Sequence, residues 1–508
     1  MKSLDLDLLG YLHLLKVLAP EAILVVTALV VLGFGLSSSA ERMRPLLTRL
    51  TLLGCLAAGA FLLIYPENAF LQNGMVVLDP IGRIFKLAIL GLSFITVILS
   101  AASPVRRHFA EYLALILFST VGMMLLAGTE DLLMIFIALE LTSISLYVLT
   151  AYHKRSAASA EAGLKYFLIG GVSAAFLLFG LSFVYGVAGT MSLRELAVIA
   201  PHLANDPLML AGIVLTLVGF GFKVAAVPFH LWAPDVYEGA PTPTAALVAS
   251  GSKVAGFFIL AKLLAIGFGS SVGMADWSQF RPGWLPILAI MAALSIVLGN
   301  LAALVQSNVK RLLAYSAIAH SGYMLLGLTS ANVPGFTAVL FYVLVYAVTT
   351  VGAFGVVSIV ERRRGGSQLQ DFDGLYKTSP GLSLSLLVFL TSLAGIPPFA
   401  GFFGKFYMFS ETLAASAPGT NPGMLWLVIL AIALNAVSLY YYLVVLKHVF
   451  VAKPAHEIRL KAVACAPVIG ALALAVLLLG IFPNVLLEPI SNAVTAYTKE
   501  IAKPMQAR

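Results

Sequence analysis

Apolar residues occupy this chain in long runs separated by short polar loops. Crossing about 30 Å of hydrocarbon at about 1.5 Å per residue takes roughly 20 residues, and fourteen runs approach that length. They lie near 16–37, 45–65, 80–101, 109–128, 130–152, 162–187, 208–234, 243–268, 284–304, 310–329, 335–360, 381–410, 423–449 and 461–482, and are called spans 1 to 14. The pattern predicts an all-α polytopic membrane protein with about 14 transmembrane helices. Span 1 is too long for the apolar part of a signal peptide and lacks an A-x-A cleavage site, so it is read as a helix.

Positive charge in the loops tests this parse independently, because short cytoplasmic loops are enriched in Lys and Arg. Loops after odd-numbered spans hold Arg42, Arg44, Arg49, Arg106, Arg107, Lys154, Arg155, Lys310, Arg311, Arg362, Arg363, Arg364, Lys377, Lys453, Arg459 and Lys461; loops after even-numbered spans hold only Arg194 and Arg281. Sixteen against two predicts both termini on the outer side of the membrane. The longest polar stretch, 361–380, is a loop, so one membrane domain is expected.

Composition agrees. Of 508 residues 60% are apolar and 11% charged, with mean hydropathy +0.98, against about 25% charged in soluble domains. Cys55 and Cys465 stand alone in apolar runs, which excludes a disulfide framework or a cysteine-ligated metal. The 31 Lys and Arg outnumber 23 Asp and Glu without forming a basic, aromatic-interleaved face, so nucleic acid is not an expected partner. There is no phosphate-binding glycine loop, no GxGxxG after a strand and no HExxH. No cofactor is expected in this chain; any redox centre belongs to a partner.

Spans 7 and 12 are each interrupted by proline, in KVAAVPFHLWAPD and GIPPFAGFFGK. Seven residues after Pro228 comes Asp235, and seven after Pro398 comes Lys405. Matching features five spans apart suggest a five-helix repeat, and five being odd, the second copy must be inverted, as in many ion-coupled transporters with broken helices.

An ionisable residue in mid-bilayer costs about 2.5–3.5 kcal/mol on insertion scales and is a functional candidate by default. Glu140 is the eleventh residue of span 5, roughly 15 Å along it. Lys223 precedes the Pro228 break, and Lys253 is the eleventh residue of span 8. Desolvation works against a lysine cation and a nearby carboxylate works for it. A Glu–Lys pair of changing separation therefore takes up a proton when close and gives it up when apart. A static buried pair is the alternative. Lys165, four residues into span 6, could instead snorkel to the interface. His230 follows the first break and His320 is the eleventh residue of span 10; either can relay protons or simply bond between helices. Lys405 follows the second break, whose loosened carbonyls could hold water. Lys262 is expected to be an interfacial anchor, Arg83 and Lys86 to need no function, and Glu411 to lie near the interface.

The stretches FKVAAVPFHLWAPDVYEGAPTPTAALVASGSKVAGF (222–257) and NVKRLLAYSAIAHSGYMLLGL (308–328) closely resemble the antiporter-like subunits of proton-pumping NADH:quinone oxidoreductase, respiratory complex I, a family shared with multisubunit cation/proton antiporters. The resemblance runs from about 80 to 450. It implies two inverted five-helix repeats, spans 4–8 and 9–13, with spans 7 and 12 broken. The domain division is then 1–105 (spans 1–3), 106–270 (first repeat), 280–450 (second repeat) and 455–508 (span 14 and tail). It also implies proton-translocating roles for Glu140, Lys165, Lys223, Lys253 and Lys405, with His230 and His320 as further candidates. FMN, iron–sulfur clusters and quinone would sit in partner subunits. The partners implied are the other membrane subunits of complex I, including paralogous antiporter-like ones, in a bacterial inner membrane. Of three paralogous branches, subunit L carries a long lateral helix, for which the 26 residues after 482 are too few, and subunit M resembles a carrier of glutamate where this chain has Lys405. A free-standing antiporter, a ferredoxin-fed relative and a purely structural anchor remain the alternatives.

Overall fold

The computed structural model describes residues 2–36, 43–65, 67–102, 108–275, 280–415, 423–453 and 465–506. Arg42, Arg106, Arg107, Arg459 and Lys461 lie outside them. The helices are α1 (Lys2–Val17), α2 (Ala19–Gly35), α3 (Arg44–Ile64), α4 (Pro80–Ala101), α5 (Phe109–Ala127), α6 (Leu132–Thr150), α7 (Ala157–Ala188), α8 (Leu193–Leu203), α9 (Pro207–Lys223), α10 (Trp232–Gly239), α11 (Thr242–Ala249), α12 (Gly251–Lys262), α13 (Trp284–Leu304), α14 (Val309–Leu328), α15 (Val333–Arg364), the one-turn α16 (Leu375–Thr378), α17 (Pro380–Ala394), α18 (Ala400–Ala415), α19 (Leu425–Phe450), α20 (Ala466–Ile481) and α21 (Asn484–Gln506). Two short hairpins, Ala69–Leu71 with Val76–Leu78 and Met274–Ala275 with Phe280–Arg281, are the paired strands among the described residues.

Within the described residues all fourteen apolar runs are mainly helical. Among the described residues nine helices are long and apolar enough to cross a membrane, or up to eleven if each bent pair counts as one span. Spans 7 and 12 fall short singly because each is split, into α9 with α10 and α17 with α18. Span 8 is also discontinuous. It breaks at Ser250 between α11 and α12 and ends in a π-turn over Leu263–Gly267, so Lys253 begins a helix instead of standing in the middle of one. The helices α1, α8, the one-turn α16 and the amphipathic α21, which bends 71° from α20, fall outside the apolar runs.

Polar residues at the run edges start these helices. The side chains of Asp79, Asp131, Asp206, Asn308 and Asn332 accept from the first free N–H groups of α4, α6, α9, α14 and α15. Small residues then set helix spacing, as expected where lipid supplies no hydrophobic drive between helices. A Cβ on Gly180 would lie 2.7 Å from the Gly212 carbonyl oxygen, and one on Gly299 would lie 2.5 Å from the Ala319 nitrogen. Close packing of α7 on α9 and of α13 on α14 follows.

Two of the three charges expected at the ends of spans are not solvated anchors. Lys262 is buried and ion-paired to Asp79 at 3.0 Å and Glu130 at 3.3 Å. Glu130 also takes Arg194 at 2.7 Å and the Tyr497 hydroxyl of α21 at 2.7 Å. Lys86 is buried against Glu21 at 2.7 Å, tying α4 to α2. Arg83, by contrast, donates to the exposed Glu67 carbonyl at 3.0 Å.

Candidate functional site

The first break leaves α9 ending on Lys223, and α6 faces it with Glu140 and Ser143, one turn apart on one side of the helix. All three line a cavity of about 20 Å³, with Gly170 and Ser173 of α7 behind it. Lys223 donates to the Ser143 hydroxyl at 3.4 Å, while Glu140 and Lys223 form no ion pair inside 4.0 Å. A polar space of at least about 10–15 Å³ accommodates one water molecule. The carboxylate and the ammonium thus share a cavity with room for about one water.

At the break side chains donate to main-chain carbonyls, one of which, Val224 O, has no backbone donor of its own among the described residues. Trp232 Nε1 donates to Phe222 O at 3.1 Å, and Ser321 Oγ of α14 donates to Val224 O at 2.5 Å. Ser321 in turn accepts from Lys253 Nζ at 2.7 Å, and Lys253 also donates to Ala317 O. The Lys223 stem runs beside Gly256, which lies one turn from Lys253 on α12. Ser321 of α14 thus links Lys253 to the backbone carbonyl of Val224, the residue after Lys223.

From Lys253 a buried polar and aromatic track continues. Its ammonium lies 5.4 Å from the centre of the Tyr346 ring, which lies 5.2 Å from the ring of His320. His320 bonds Tyr342 Oη through Nδ1 at 2.7 Å and Tyr442 Oη through Nε2 at 3.2 Å. The Tyr323 ring, 5.7 Å from His320, has Lys405 Nζ 4.9 Å from its centre. Lys405 donates to Leu393 O at 2.7 Å, a carbonyl freed by the second break, and to the Asn435 side chain. Lys223, Lys253, His320 and Lys405 are each 5% exposed or less.

Five expected residues, Glu140, Lys223, Lys253, His320 and Lys405, are thus brought into one line. Lys165 is not part of it. Its side chain is 43% exposed and pairs with Glu161 at 2.6 Å and Asp235 at 2.7 Å. Asp235 also accepts from Arg311 at 2.7 Å, so Lys165 belongs to a charge cluster that joins α7 and α10 to α14. His230 is buried beside the break with Nδ1 unpartnered, and none of its described hydrogen bonds reaches the line. Glu411 is partly buried on α18. Among the described residues no group of three or more His, Cys, Asp or Glu is placed to hold a metal ion.

Residues 129–431 match the family described as NADH:quinone oxidoreductase/Mrp antiporter, transmembrane. The chain belongs to this family. Subunit N 2 of the NADH-quinone oxidoreductase of Acidobacterium capsulatum is 46% identical over 499 residues, covering 94% of this chain and 99% of that protein. A chain of respiratory complex I from Thermus thermophilus, solved with bound aureothin, superposes with TM-score 0.75 at 35% identity over 92% of this chain and 98% of that one. A chain of the archaeal membrane-bound sulfane sulfur reductase reaches TM-score 0.82 at 26% identity, over 96% and 99%. The resemblance read from the 222–257 and 308–328 stretches is borne out, and the Acidobacterium relative's name is that of the branch left once subunits L and M are set aside.

The groups that sequence reasoning missed in this antiporter-family chain are uncharged: Ser143, Ser321, Tyr342, Tyr346, Tyr442 and Asn435. A signal existed for some. Tyr342 and Tyr346 stand four apart on one face of α15, and Asn435 is a lone amide in the apolar α19.

Proposed function

We propose that this chain is a proton-translocating membrane subunit of a bacterial NADH:quinone oxidoreductase, in which quinone reduction on partner subunits drives protons along its buried line. The observation that carries this reading is the succession of ionisable groups from the partly buried Glu140 through the buried Lys223, Lys253 and His320 to Lys405, with hydroxyl, carbonyl and aromatic groups between them. Lysines buried in apolar surroundings, each supplied with hydroxyl, carbonyl or amide oxygens, can hold a proton and pass it on.

Glu140 and Lys223 act as the switching pair, Lys253 as the central relay with His320 beside it, and Lys405 as the terminal site. The positive loops place both termini outside, so protons are taken up from the cytoplasm near 106–270 and leave through 280–450, the two inverted repeats opening to opposite sides. FMN, iron–sulfur clusters and the quinone belong to partner subunits, among them paralogous antiporter-like ones. The decisive test is Glu140→Gln in the assembled complex, measuring proton pumping in oriented vesicles. Loss of pumping with normal assembly is expected. Undiminished pumping would remove the switching pair, failed assembly would favour a structural anchor, and sodium-coupled proton flux by the isolated chain would favour an antiporter.

A further inference from the structure

A proton bound from the cytoplasmic end of the bundle to the Glu140–Lys223 cavity needs a route, and α6 supplies one. Glu140, Ser143 and Tyr147 stand at i, i+3 and i+7, two helical turns on one face, spanning about 10 Å. Tyr147 stands one turn beyond Ser143 on the same face of α6, and its hydroxyl lies against Gly170, a residue of the cavity wall, where an added Cβ would come within 2.0 Å of it. On its other side Tyr147 lines a second, larger cavity of about 550 Å³, together with His108, Glu111, Tyr152, Lys154 and Gly163. Glu111 holds His108 at 3.0 Å, and both are exposed. This larger cavity sits where α5 and α7 begin and α6 ends, the end of the bundle that carries Lys154 and Arg155.

We infer that the 550 Å³ cavity is the proton intake vestibule of the first site, and that Tyr147 and Ser143 form the two-hydroxyl relay between it and Glu140. A hydroxyl both donates and accepts, so each can pass its own proton onward while taking another. A hydronium in the vestibule gives a proton to Tyr147 as Tyr147 gives one to Ser143. Ser143 then delivers through the 20 Å³ cavity to the Glu140 carboxylate. Water is left in the vestibule, a neutral carboxyl acid at Glu140, and both hydroxyls are restored. Glu111 and His108 at the mouth supply exposed groups that exchange protons with bulk water. The Tyr147 ring, held edge-on by Tyr166 at 4.7 Å, borders the larger cavity while its hydroxyl lies at the Gly170 wall of the smaller one.

This inference rests on the proton-translocating reading above, and one set of measurements separates the two. Tyr147→Phe and Ser143→Ala, singly and together, are compared with Glu140→Gln in assembled complex in oriented vesicles. Tyr147→Phe keeps the ring and its packing, so assembly should be normal while pumping falls about tenfold, roughly the value of one hydrogen-bonding hydroxyl, and the double variant should fall further. A solvent deuterium isotope effect on pumping should grow in both single variants, which a packing defect would not produce. If Glu140→Gln stalls while the double variant pumps at the normal rate, the route is wrong and the site stands. Should Glu140→Gln also pump normally, the underlying reading fails. Leu115→Cys, on the vestibule wall, should react with a membrane-impermeant maleimide added from the cytoplasmic side; reaction from the outer side alone, or from neither, would overturn the assignment.

Discussion

The two breaks hold their lysines differently. At the first, Lys223 ends α9 and shares a water-sized cavity with a carboxylate it does not touch, while Ser321 takes the freed carbonyl of Val224 and Trp232 donates to Phe222 O, which also accepts from Ala225 N. At the second, no carboxylate faces Lys405 among the described contacts. Its ammonium itself takes the freed carbonyl of Leu393, the Asn435 amide oxygen and the face of Tyr323. Each break also contains one cis X–Pro bond, at Val227–Pro228 and Pro397–Pro398. The same local device therefore leaves one lysine loosely held beside a charge of opposite sign, and the other tightly held by neutral acceptors. A loose pair suits switching, and a neutral cradle suits a final site whose occupant must be free to leave as a bare proton.

That comparison can be broken from either side. The largest effect is expected from Lys405→Arg, which keeps charge and assembly yet should abolish pumping, because a guanidinium does not release its proton in this pH range; full pumping would show that protons leave elsewhere. Next, Asn435→Leu deprives Lys405 of its one described side-chain acceptor. Leaving a buried donor unmet costs about 1–3 kcal/mol, and pumping measured against electron transfer should drop by about an order of magnitude. A drop no larger than that of Ser143→Ala would mean the two lysines are held alike after all. Smaller again is Ser321→Ala, which breaks the bridge between Val224 and Lys253 but leaves Ala317 O as acceptor. Pumping should slow by a few-fold with no change in thermal stability. The smallest effect on pumping per assembled complex is expected from Lys262→Met. It uncovers Asp79 and Glu130, and breaking such a buried pair costs about 3–5 kcal/mol, so the readout is a fall in melting temperature and yield. Uncoupled pumping in well-assembled complex would promote that cluster from scaffold to conduit.

Much of this was legible in the chain itself. Spans 7 and 12 announced their breaks through Pro228 and Pro398, and Glu140, Lys223, Lys253, His320 and Lys405 stood out because charge and imidazole are expensive inside apolar runs. The same rule misread Lys262 and Lys86. Position near the end of a run suggested snorkelling, whereas packing against Asp79, Glu130 and Glu21 buries both. Lys165 went the other way, since its partner Asp235 comes from another helix at the surface.

What the sequence by itself determined is the solvent, the approximate helices and the charged stations, because hydropathy and the cost of burying charge act along the chain and need no partner. Only the tertiary structure decided which stations meet and what lies between them. The water-sized gap between Glu140 and Lys223, the Ser321 bridge, the tyrosines around His320 and the Asn435 cradle depend on interhelical distances of a few ångströms. Those distances are set by small-residue packing between helices distant in sequence, and hydroxyl and amide groups cost too little to mark themselves in a hydropathy pattern.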